Sequence, residues 1–329
     1  MLAAKRKILS GGSTIAKTPL LIPSFSSKGY PNLIDLILTA ERFVSEVTLI
    51  SAYDIFYHRI EPPITFADLI FLDSGGYEAG KDNEHSDLGY QSEDPKPWTE
   101  DYYRLVLERW PFNVPTVAVS FDHPDVRLPT VRQVDRAIHF FLNRKNLAAC
   151  LLVKPEHYGE FVNIDALLAM GTRLAHFQII GVTERELGST VLDRMIAIAK
   201  LREGLTEHGL NLPIHIFGSL DPINTPHYFC AGADVFDGLG WLRFAYSDGN
   251  ADYWQMWGTS ELGVQVDAEE IRAELMVRNC YFLQDLERQM RDYVQTGKLS
   301  AFTFHSKRLM ESIQLLEDSL KKGNQYGRK

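Results

Sequence analysis

Two aspartates stand where a carboxylate can do chemistry. Asp73 ends the apolar run 69–72 and is followed by Ser74-Gly75-Gly76, whose glycines let backbone amides approach a ligand closely. Asp237 ends a second apolar run at 235–236. Retaining cleavage of a glycosidic bond needs two such groups, one to attack the sugar carbon and one to transfer the proton. We interpret the two aspartates as a catalytic pair. A turn cap at Asp73 and a structural hydrogen bond at Asp237 are the alternatives for each residue alone.

Short apolar runs recur along the chain and predict strands. Runs that are apolar throughout, rather than alternating, are typical of parallel strands buried on both faces. Helical patterns separate most of them, with Thr99, Thr130 and Thr190 as predicted helix starts. This alternation predicts an α/β fold, a (β/α)8 TIM barrel, with a doubly wound sheet as the alternative. The eight predicted strands are 19–24, 47–54, 69–75, 116–122, 150–154, 177–182, 214–219 and 235–238.

The predicted strand ends bring polar residues together, because a TIM barrel carries its active site at the carboxyl ends of its strands. Asp122 can accept hydrogen bonds from a heterocycle or cap a loop, and Lys154 is either a site residue or a salt-bridge partner. His215, inside an apolar strand, is interpreted as a core histidine, and Asp234 as structural. The residues at the predicted strand ends are Ser24, Asp54, Asp73, Asp122, Lys154, Gly181, Gly218 and Asp237.

Residues 1–246 are predicted to form the barrel core and residues 247–329 an aromatic insertion with C-terminal helices packed on the barrel. The insertion, at about 247–263, contains Tyr253, Trp254 and Trp257. An acidic stretch at 81–101 is predicted to be either a lid or a mobile surface loop.

The composition, 45% hydrophobic and 23% charged residues, is that of a soluble globular protein. No apolar stretch approaches the roughly 20 residues of a membrane helix, and no signal peptide is evident, so a cytoplasmic protein without a membrane partner is expected. Cys150, Cys230 and Cys280 lie far apart without a CxxC pattern. That spacing predicts buried thiols in a reducing compartment and no metal site.

A net charge of −9 is not typical of a nucleic-acid binder, although phosphate binding needs only a local basic surface. The alternative for such a surface is a solvated helix face. The basic residues that could form it are Arg272, Arg278, Arg288, Arg291, Lys298, Lys307, Arg308, Lys321 and Lys322.

Taken in order, several short motifs resemble those of the tRNA-guanine transglycosylase family, which builds 7-deazaguanine bases into nucleic acid. No single motif is strong, but the ordered set, collinear over about residues 19 to 295, is specific. Arg243 falls where the family has the arginine of its PTR motif. The similar segments are 72–77 (LDSGGY, family TDSGGF), 121–122 (FD, family FDE), 180–184 (IGVTE, family GGLAVGE), 215–222 (HIFGSLDP, family YLMGVGxP), 232–237 (GADVFD, family GxDMFD) and 279–283 (NCYFL, family HNLxFxL).

The resemblance implies a TIM barrel in which Asp237 attacks the ribosyl C1′ and displaces guanine, giving a covalent glycosyl-enzyme. Asp73 would act as the general acid and base in two successive displacements, with ping-pong kinetics. The target base would have to leave its stack. The resemblance assigns base-edge recognition to Asp122 and backbone phosphate contact to Arg243. Further substrate-binding residues are Ser74, Lys154, Gly181 and Gly218.

The chain departs from the family at two places. The zinc site, a CxCxxC with a distant histidine, is missing, and Arg278 stands where the histidine would be. No cofactor is therefore expected, and the aromatic insertion with the basic C-terminal helices is hypothesised to replace the zinc module. The family's QGG is replaced by KPE at 154–156, so base recognition is expected to differ.

These features predict a pentosyltransferase that exchanges guanine in a nucleic acid for a 7-deazaguanine such as preQ0. The lost zinc module and altered base pocket favour DNA over tRNA. The alternatives are tRNA-guanine transglycosylase activity in queuosine biosynthesis, a nucleoside-level glycosidase, and a non-catalytic nucleic-acid-binding subunit. The expected partners are nucleic acid and the free base, and a homodimer or a partner subunit is left open.

Overall fold

The protein is represented by a computed structural model that describes residues 2–28, 30, 32–80, 94–122 and 125–326, with only the backbone described for 323–326. Most of the predicted acidic lid, residues 81–93, therefore lies outside the described residues. The strands are β1 (Lys7–Ser10), β2 (Ser13–Lys17), β3 (Leu20–Pro23), β4 (Val47–Ser51), β5 (Leu69–Asp73), β6 (Thr116–Val119), β7 (Ala148–Val153), β8 (Ile179–Thr183), β9 (Ile214–Phe217), β10 (Val235–Gly238), β11 (Phe244–Ser247) and β12 (Asn250–Tyr253). The helices are α1 (Leu33–Ala40), α2 (Ala52–Phe56), α3 (Gly76–Ala79), α4 (Glu100–Arg109), α5 (Thr130–Phe141), α6 (Ile164–Leu168), α7 (Val191–Glu207), α8 (Asn224–Cys230), α9 (Gly240–Arg243), α10 (Trp254–Glu261), α11 (Ala268–Thr296) and α12 (Ser306–Tyr326), with short 3₁₀ segments at Gly171–His176, Glu184–Leu187 and Leu299–Ala301.

Strands β3 to β10 form one parallel sheet, eight-stranded within the described part of the chain. From β4 to β10 each strand pairs with the next along the chain, and β10 pairs back onto β3. Just after β3, Ser24 bridges to Leu49 of β4, and the Phe25 N–H donates to the Leu49 carbonyl at 2.9 Å. The sheet is therefore a nearly closed barrel. The eight predicted strands and the (β/α)8 barrel are confirmed, in preference to a doubly wound sheet.

The seam between β3 and β4 is completed by the C-terminal helix α11. Toward the start of β3, the Leu21 N–H donates to the carboxylate of Glu287 at 3.0 Å rather than to a strand. Burial raises the pKa of Glu287 to about 7, although the nearby Arg291 guanidinium lowers it. A helix carboxylate thus satisfies a backbone donor that β4 leaves unpaired.

The amino end of the barrel is covered by the hairpin β1–β2, which the sequence analysis did not predict. The turn residues Gly11 and Gly12 both have positive φ, as a tight two-residue hairpin turn requires. Ile8 of the hairpin belongs to the same buried cluster as Val47 and Val235, near the starts of barrel strands. This hairpin does not cover the opposite, carboxyl end of the barrel, where a site can therefore lie.

Two strands end three residues earlier than predicted. β4 ends at Ser51, whose hydroxyl caps α2 by accepting the Tyr53 N–H at 3.2 Å, so Asp54 lies in a helix rather than at a strand end. β6 ends at Val119, so Asp122 lies three residues beyond its strand. A capping hydroxyl turns the chain from an extended to a helical path without a break in its apolar pattern.

The predicted helix starts at Thr99 and Thr190 are confirmed, the second as a capping box with Asp193. The helix predicted at Thr130 does begin there, but the prediction that Thr130 caps it is wrong. Its N–H and hydroxyl instead donate to the carboxylate of Glu156, at 2.8 and 2.9 Å, and Pro129 precedes the helix. The KPE segment thus supplies a helix cap from a neighbouring loop.

The predicted aromatic insertion contains a hairpin, β11–β12, followed by α10. The hairpin begins at Phe244, before the predicted start of the insertion at residue 247. Trp254, Trp257 and Ala245 form a small buried cluster with Ile271 and Leu275 of α11. The insertion therefore has its own apolar core against the C-terminal helix. None of the described helices combines the length and the apolar composition that crossing a membrane requires.

Candidate active site

Asp73 and Asp237 point into the barrel at its carboxyl end. Side chains of a strand alternate between its two faces. Phe71 and Val235 belong to the interior cluster, and Asp73 and Asp237 each follow by two residues on β5 and β10. The two aspartates therefore share the same mouth of the barrel.

Three donors among the described residues converge on Asp237. The Ser24 hydroxyl donates to Oδ2 at 2.9 Å. The imidazole Nε2 of His215 lies 3.0 Å from Oδ1, and the Gly218 N–H donates to the same oxygen at 3.4 Å. The carboxylate is 6% exposed, so these contacts hold it in one orientation at the mouth.

His215 is fully buried, as a core histidine should be, but it also contacts the candidate nucleophile. Its ring stacks on Phe217 with centroids 3.8 Å apart and meets the edge of Phe71 at 5.5 Å. Gly181 makes room for this stack, since a Cβ there would lie 2.5 Å from the Phe217 ring. The structure thus places Gly181 beneath the site, against Phe217.

Asp73 has a different environment. Its Oδ2 accepts the Gly75 N–H at 3.1 Å, and it keeps partial contact with solvent. Burial raises the pKa of Asp73 well above its usual range, and the negative charges of Asp122, Glu78 and Asp237 raise it further. Such surroundings favour the protonated form of the carboxyl.

Glu78, a site residue that sequence analysis missed, lies behind Asp73. Its carboxylate accepts the hydroxyls of Ser26 at 2.5 Å and Ser51 at 2.7 Å. Burial raises its pKa, and burial together with the charge of Glu78 raises the pKa of Asp54 to about 7. These acids tie the segments after β3, β4 and β5 together.

The Ser74-Gly75-Gly76 turn brings Asp122 beside Asp73. Gly75 has φ +90°, and a Cβ added there would lie 2.8 Å from the Tyr53 Cβ and 2.9 Å from the Trp98 ring. A Cβ at Gly76 would lie 2.4 Å from the Asp122 carboxylate, and the Ser74 hydroxyl donates to Oδ1 of Asp122. Both glycines are therefore required sterically, one for the turn and one for the approach of Asp122.

Lys154 is a salt-bridge partner, one of the two roles left open by the sequence. Its ammonium donates to Thr183 Oγ1 at 2.8 Å, pairs with Glu186 at 3.1 Å and lies 4.0 Å from Asp122. A pocket opens beside it, between the segment after β6 and β7, and does not include Asp73 or Asp237. Its lining includes Ser120, Phe121, Asp122, Gln133, Arg136 and Lys154.

Arg243, at the end of α9, is largely buried and connects the two aspartate-bearing segments. Its guanidinium donates to the Tyr77 hydroxyl at 3.4 Å. Burial raises the pKa of Tyr30 to about 12, even though the positive charge of the adjacent Arg243 acts in the opposite direction. Farther out, Arg272 and Arg278 cover the rings of Trp254 and Trp257, at 4.9 and 5.3 Å.

Within the described ranges, no group of three or more His, Cys, Asp or Glu side chains is arranged to hold a metal ion. Cys150, Cys230 and Cys280 are free and buried. The described residues therefore do not fit the zinc that the family resemblance implies.

Asp234 is part of a buried ion-pair network, as expected for a structural residue. Its carboxylate accepts hydrogen bonds from the guanidinium groups of Arg6 at 2.6 Å and Arg202 at 2.5 Å.

The structure brings Asp73, Ser74 and Asp122 into one group, with Lys154 at its edge, and places Gly218 on Asp237. Sequence reasoning missed the contact of His215 with Asp237 and the roles of Glu78 and Glu186. No local signal marks these residues, because each acquires its partner from another strand or turn.

The chain is a (β/α)8-barrel protein with two dissimilar carboxyl groups at the barrel mouth. No known protein-family model matches the sequence. No curated protein is significantly similar to it.

Proposed function

We propose that the protein is a pentosyltransferase that exchanges guanine in a nucleic acid for a 7-deazaguanine such as preQ0. Asp237 is the nucleophile and Asp73 the general acid and base. DNA is the favoured polymer, with tRNA as the alternative.

The observation that carries this proposal is the difference between the two carboxyl groups. Asp237 accepts hydrogen bonds from Ser24, His215 and Gly218, which suits a carboxylate that attacks. Burial and the neighbouring acids raise the pKa of Asp73, which favours the protonated form that a general acid needs. Two carboxyl groups in such different surroundings can divide the roles of nucleophile and acid between them.

In the first displacement, an oxygen of Asp237 bonds to C1′ as the bond from C1′ to the base nitrogen breaks. The electron pair leaves with guanine, which takes a proton from Asp73. In the second, Asp73 accepts a proton from the incoming base, whose nitrogen attacks C1′, and the carboxylate of Asp237 is released. Two inversions retain the configuration of the sugar.

Asp122 and Lys154 present an acceptor and a donor at the edge of the site, 4.0 Å apart. Guanine presents the complementary groups, N1–H and N2–H donors beside the O6 acceptor. We assign recognition of the base edge to this pair. The fixed approach of Asp122 to Gly76 supports it, because a base-reading group needs a defined position.

A polymer substrate is supported by the residues at the mouth. Tyr77 is 39% exposed only four residues after Asp73, and Arg243 contacts its hydroxyl. An aromatic ring next to an arginine suits a flipped-out nucleotide and its phosphate. The absence of the family's zinc motif from the sequence favours DNA.

The test is covalent trapping. The protein is mixed with guanine-containing DNA or tRNA, with and without preQ0, and a denaturation-resistant adduct is sought. The wild-type protein and Asp318→Asn, a change at an exposed residue of α12, should form the adduct, and Asp237→Asn should not. Asp73→Asn should form it much more slowly, since the departing base loses its acid.

An adduct with only one polymer identifies the substrate. Absence of both an adduct and labelled-guanine exchange with either polymer would contradict the proposal. Release of guanine from free guanosine or deoxyguanosine, without any polymer, would instead indicate a nucleoside glycosidase.

A further inference from the structure

The two oxygens of Asp237 are held differently. Among the described residues, Oδ1 faces two donors, the His215 ring nitrogen at 3.0 Å and the Gly218 N–H at 3.4 Å. Oδ2 faces the Ser24 hydroxyl at 2.9 Å. A hydroxyl can rotate away from its acceptor, whereas a ring nitrogen and a backbone amide cannot.

The surroundings of His215 fix which nitrogen carries the proton. Nδ1 is buried and has no hydrogen-bond partner in the described part of the protein. A proton on Nδ1 would be an unsatisfied buried donor, and an unprotonated Nε2 would oppose a carboxylate oxygen. The contacts therefore select the ring with Nε2–H, which donates to Oδ1.

The ring cannot turn away from Asp237. Phe217 stacks on it at 3.8 Å and Phe71 meets it edge-on at 5.5 Å, while the missing side chain of Gly181 makes space for Phe217. An imidazole confined between apolar rings aims its one satisfied nitrogen at a single atom. A histidine that only filled the core would not require this fixed orientation of its ring.

We propose that His215 is a positioning residue that anchors Oδ1 of Asp237, leaves Oδ2 as the attacking atom, and favours release of the carboxylate from the glycosyl-enzyme. The proposal rests on the proposed function. Attack forms the C1′–Oδ2 bond and breaks the bond from C1′ to the base, whose electron pair leaves with guanine and the proton of Asp73. Oδ1 then becomes the carbonyl oxygen of the ester.

His215 keeps its hydrogen bond to Oδ1 throughout, but the strength of that bond changes. A donor binds an ionised carboxylate about twice as strongly as a neutral carbonyl. The contact therefore favours the free carboxylate over the ester, and it assists the second displacement, in which Oδ2 recovers the electron pair from C1′. Losing the N–H should make the covalent intermediate persist.

The experiment compares two variants of equal length and shape, His215→Gln and His215→Met. Both lose the stacked ring, but only glutamine keeps an N–H near the position of Nε2. With the trapped polymer and added guanine, the ratio of adduct to free enzyme should rise about tenfold in H215M. H215Q should return this ratio toward the wild-type value. A purely structural histidine predicts equal ratios in the two variants, and that result, or no rise in H215M, overturns the proposal.

A second measurement needs no activity. In protein labelled with ¹⁵N-histidine, the resonances lost in H215Q identify His215, and they should show a protonated Nε2 and an unprotonated Nδ1. Replacing Asp237 by Ala should shift the Nε2–H resonance. A ring protonated at Nδ1 alone overturns the proposal. If the wild-type protein forms no adduct while the resonances are as expected, the proposed function fails and the anchoring of Asp237 by His215 stands.

Discussion

The carboxylate of Asp122 lies so close to Gly76 that a methyl group on that glycine would be 2.4 Å from Oδ1. The Ser74 hydroxyl holds the same oxygen. The turn after β5 and the segment after β6 therefore interlock at one glycine. Because Asp73 begins that turn, the proposed proton carrier and the proposed base reader have a fixed relation to each other.

Gly76→Ala should displace Asp122 and impair base recognition. The added methyl overlaps a short, confined carboxylate that must rotate away. We expect at least about a tenfold loss in kcat/KM for the incoming base, measured by labelled-guanine exchange, with less change in polymer binding. Ser189→Ala, at an exposed position, is the control. Unchanged exchange in Gly76→Ala would argue against Asp122 as the base reader.

The rate of adduct formation should fall as pH rises through the raised pKa of Asp73. Burial and neighbouring acids keep this carboxyl protonated above its usual range, and only the protonated form can give a proton to the departing base. Stopped-time trapping at a series of pH values measures the effect. Asp73→Asn should be about a hundredfold or more slower and lose this pH dependence. A variant as fast as the wild-type protein would remove Asp73 from the mechanism.

Glu287→Gln should reduce the loss of stability that occurs as pH rises from about 4.5, the ordinary pKa of glutamate, to about 7, the raised pKa of Glu287. The folded state holds this proton more tightly than the unfolded state, so the free energy of unfolding decreases as pH rises across that window. Glutamine still accepts the Leu21 N–H without a buried charge. We expect a gain on the order of 2 kcal/mol above pH 7 by urea denaturation.

In Glu287→Gln the free energy of unfolding will still decrease somewhat as pH rises, because the pKa of Asp54 is also raised to about 7. Glu311→Gln, at an exposed position of α12, should leave the pH dependence of the free energy of unfolding unchanged. If Glu287→Gln lowered stability at every pH, the charge of Glu287 would be needed for its pairing with Arg291.

Lys154→Met should raise KM for the incoming base by about tenfold or more while leaving polymer affinity nearly unchanged. The substitution keeps the aliphatic stem and removes the donor that lies 4.0 Å from Asp122. Initial rates at varied base and varied polymer separate the two constants. Lys145→Met, at an exposed position, is the control. An equal rise for polymer and base would assign Lys154 to the polymer instead.

The barrel could be predicted from the sequence because its strands are apolar on both faces and bounded by helical patterns. The exceptions have local causes. Ser51 starts a helix within a continuous apolar run by capping Tyr53. The N-terminal hairpin has its signal in Gly11 and Gly12, a two-residue turn between two short segments that contain apolar residues, and could have been predicted.

The site was predictable only in part. Asp73 and Asp237 stand at strand ends, a position that sequence periodicity can identify. The contact of His215 with Asp237 cannot be identified that way, because it depends on the register that sets His215 opposite Val235. Nor could sequence show that Glu156 caps α5, since the interaction joins two loops 26 positions apart.

The hydrogen bond between Leu21 and Glu287 spans 266 residues, nearly the whole chain. Contacts of such separation form late, because the cost of closing the intervening loop must be met first. During synthesis, β3 emerges with an unmet N–H and must wait for α11 before the seam is complete. We therefore expect the amino-terminal strands to remain an open, association-prone edge on the ribosome until the last helices appear.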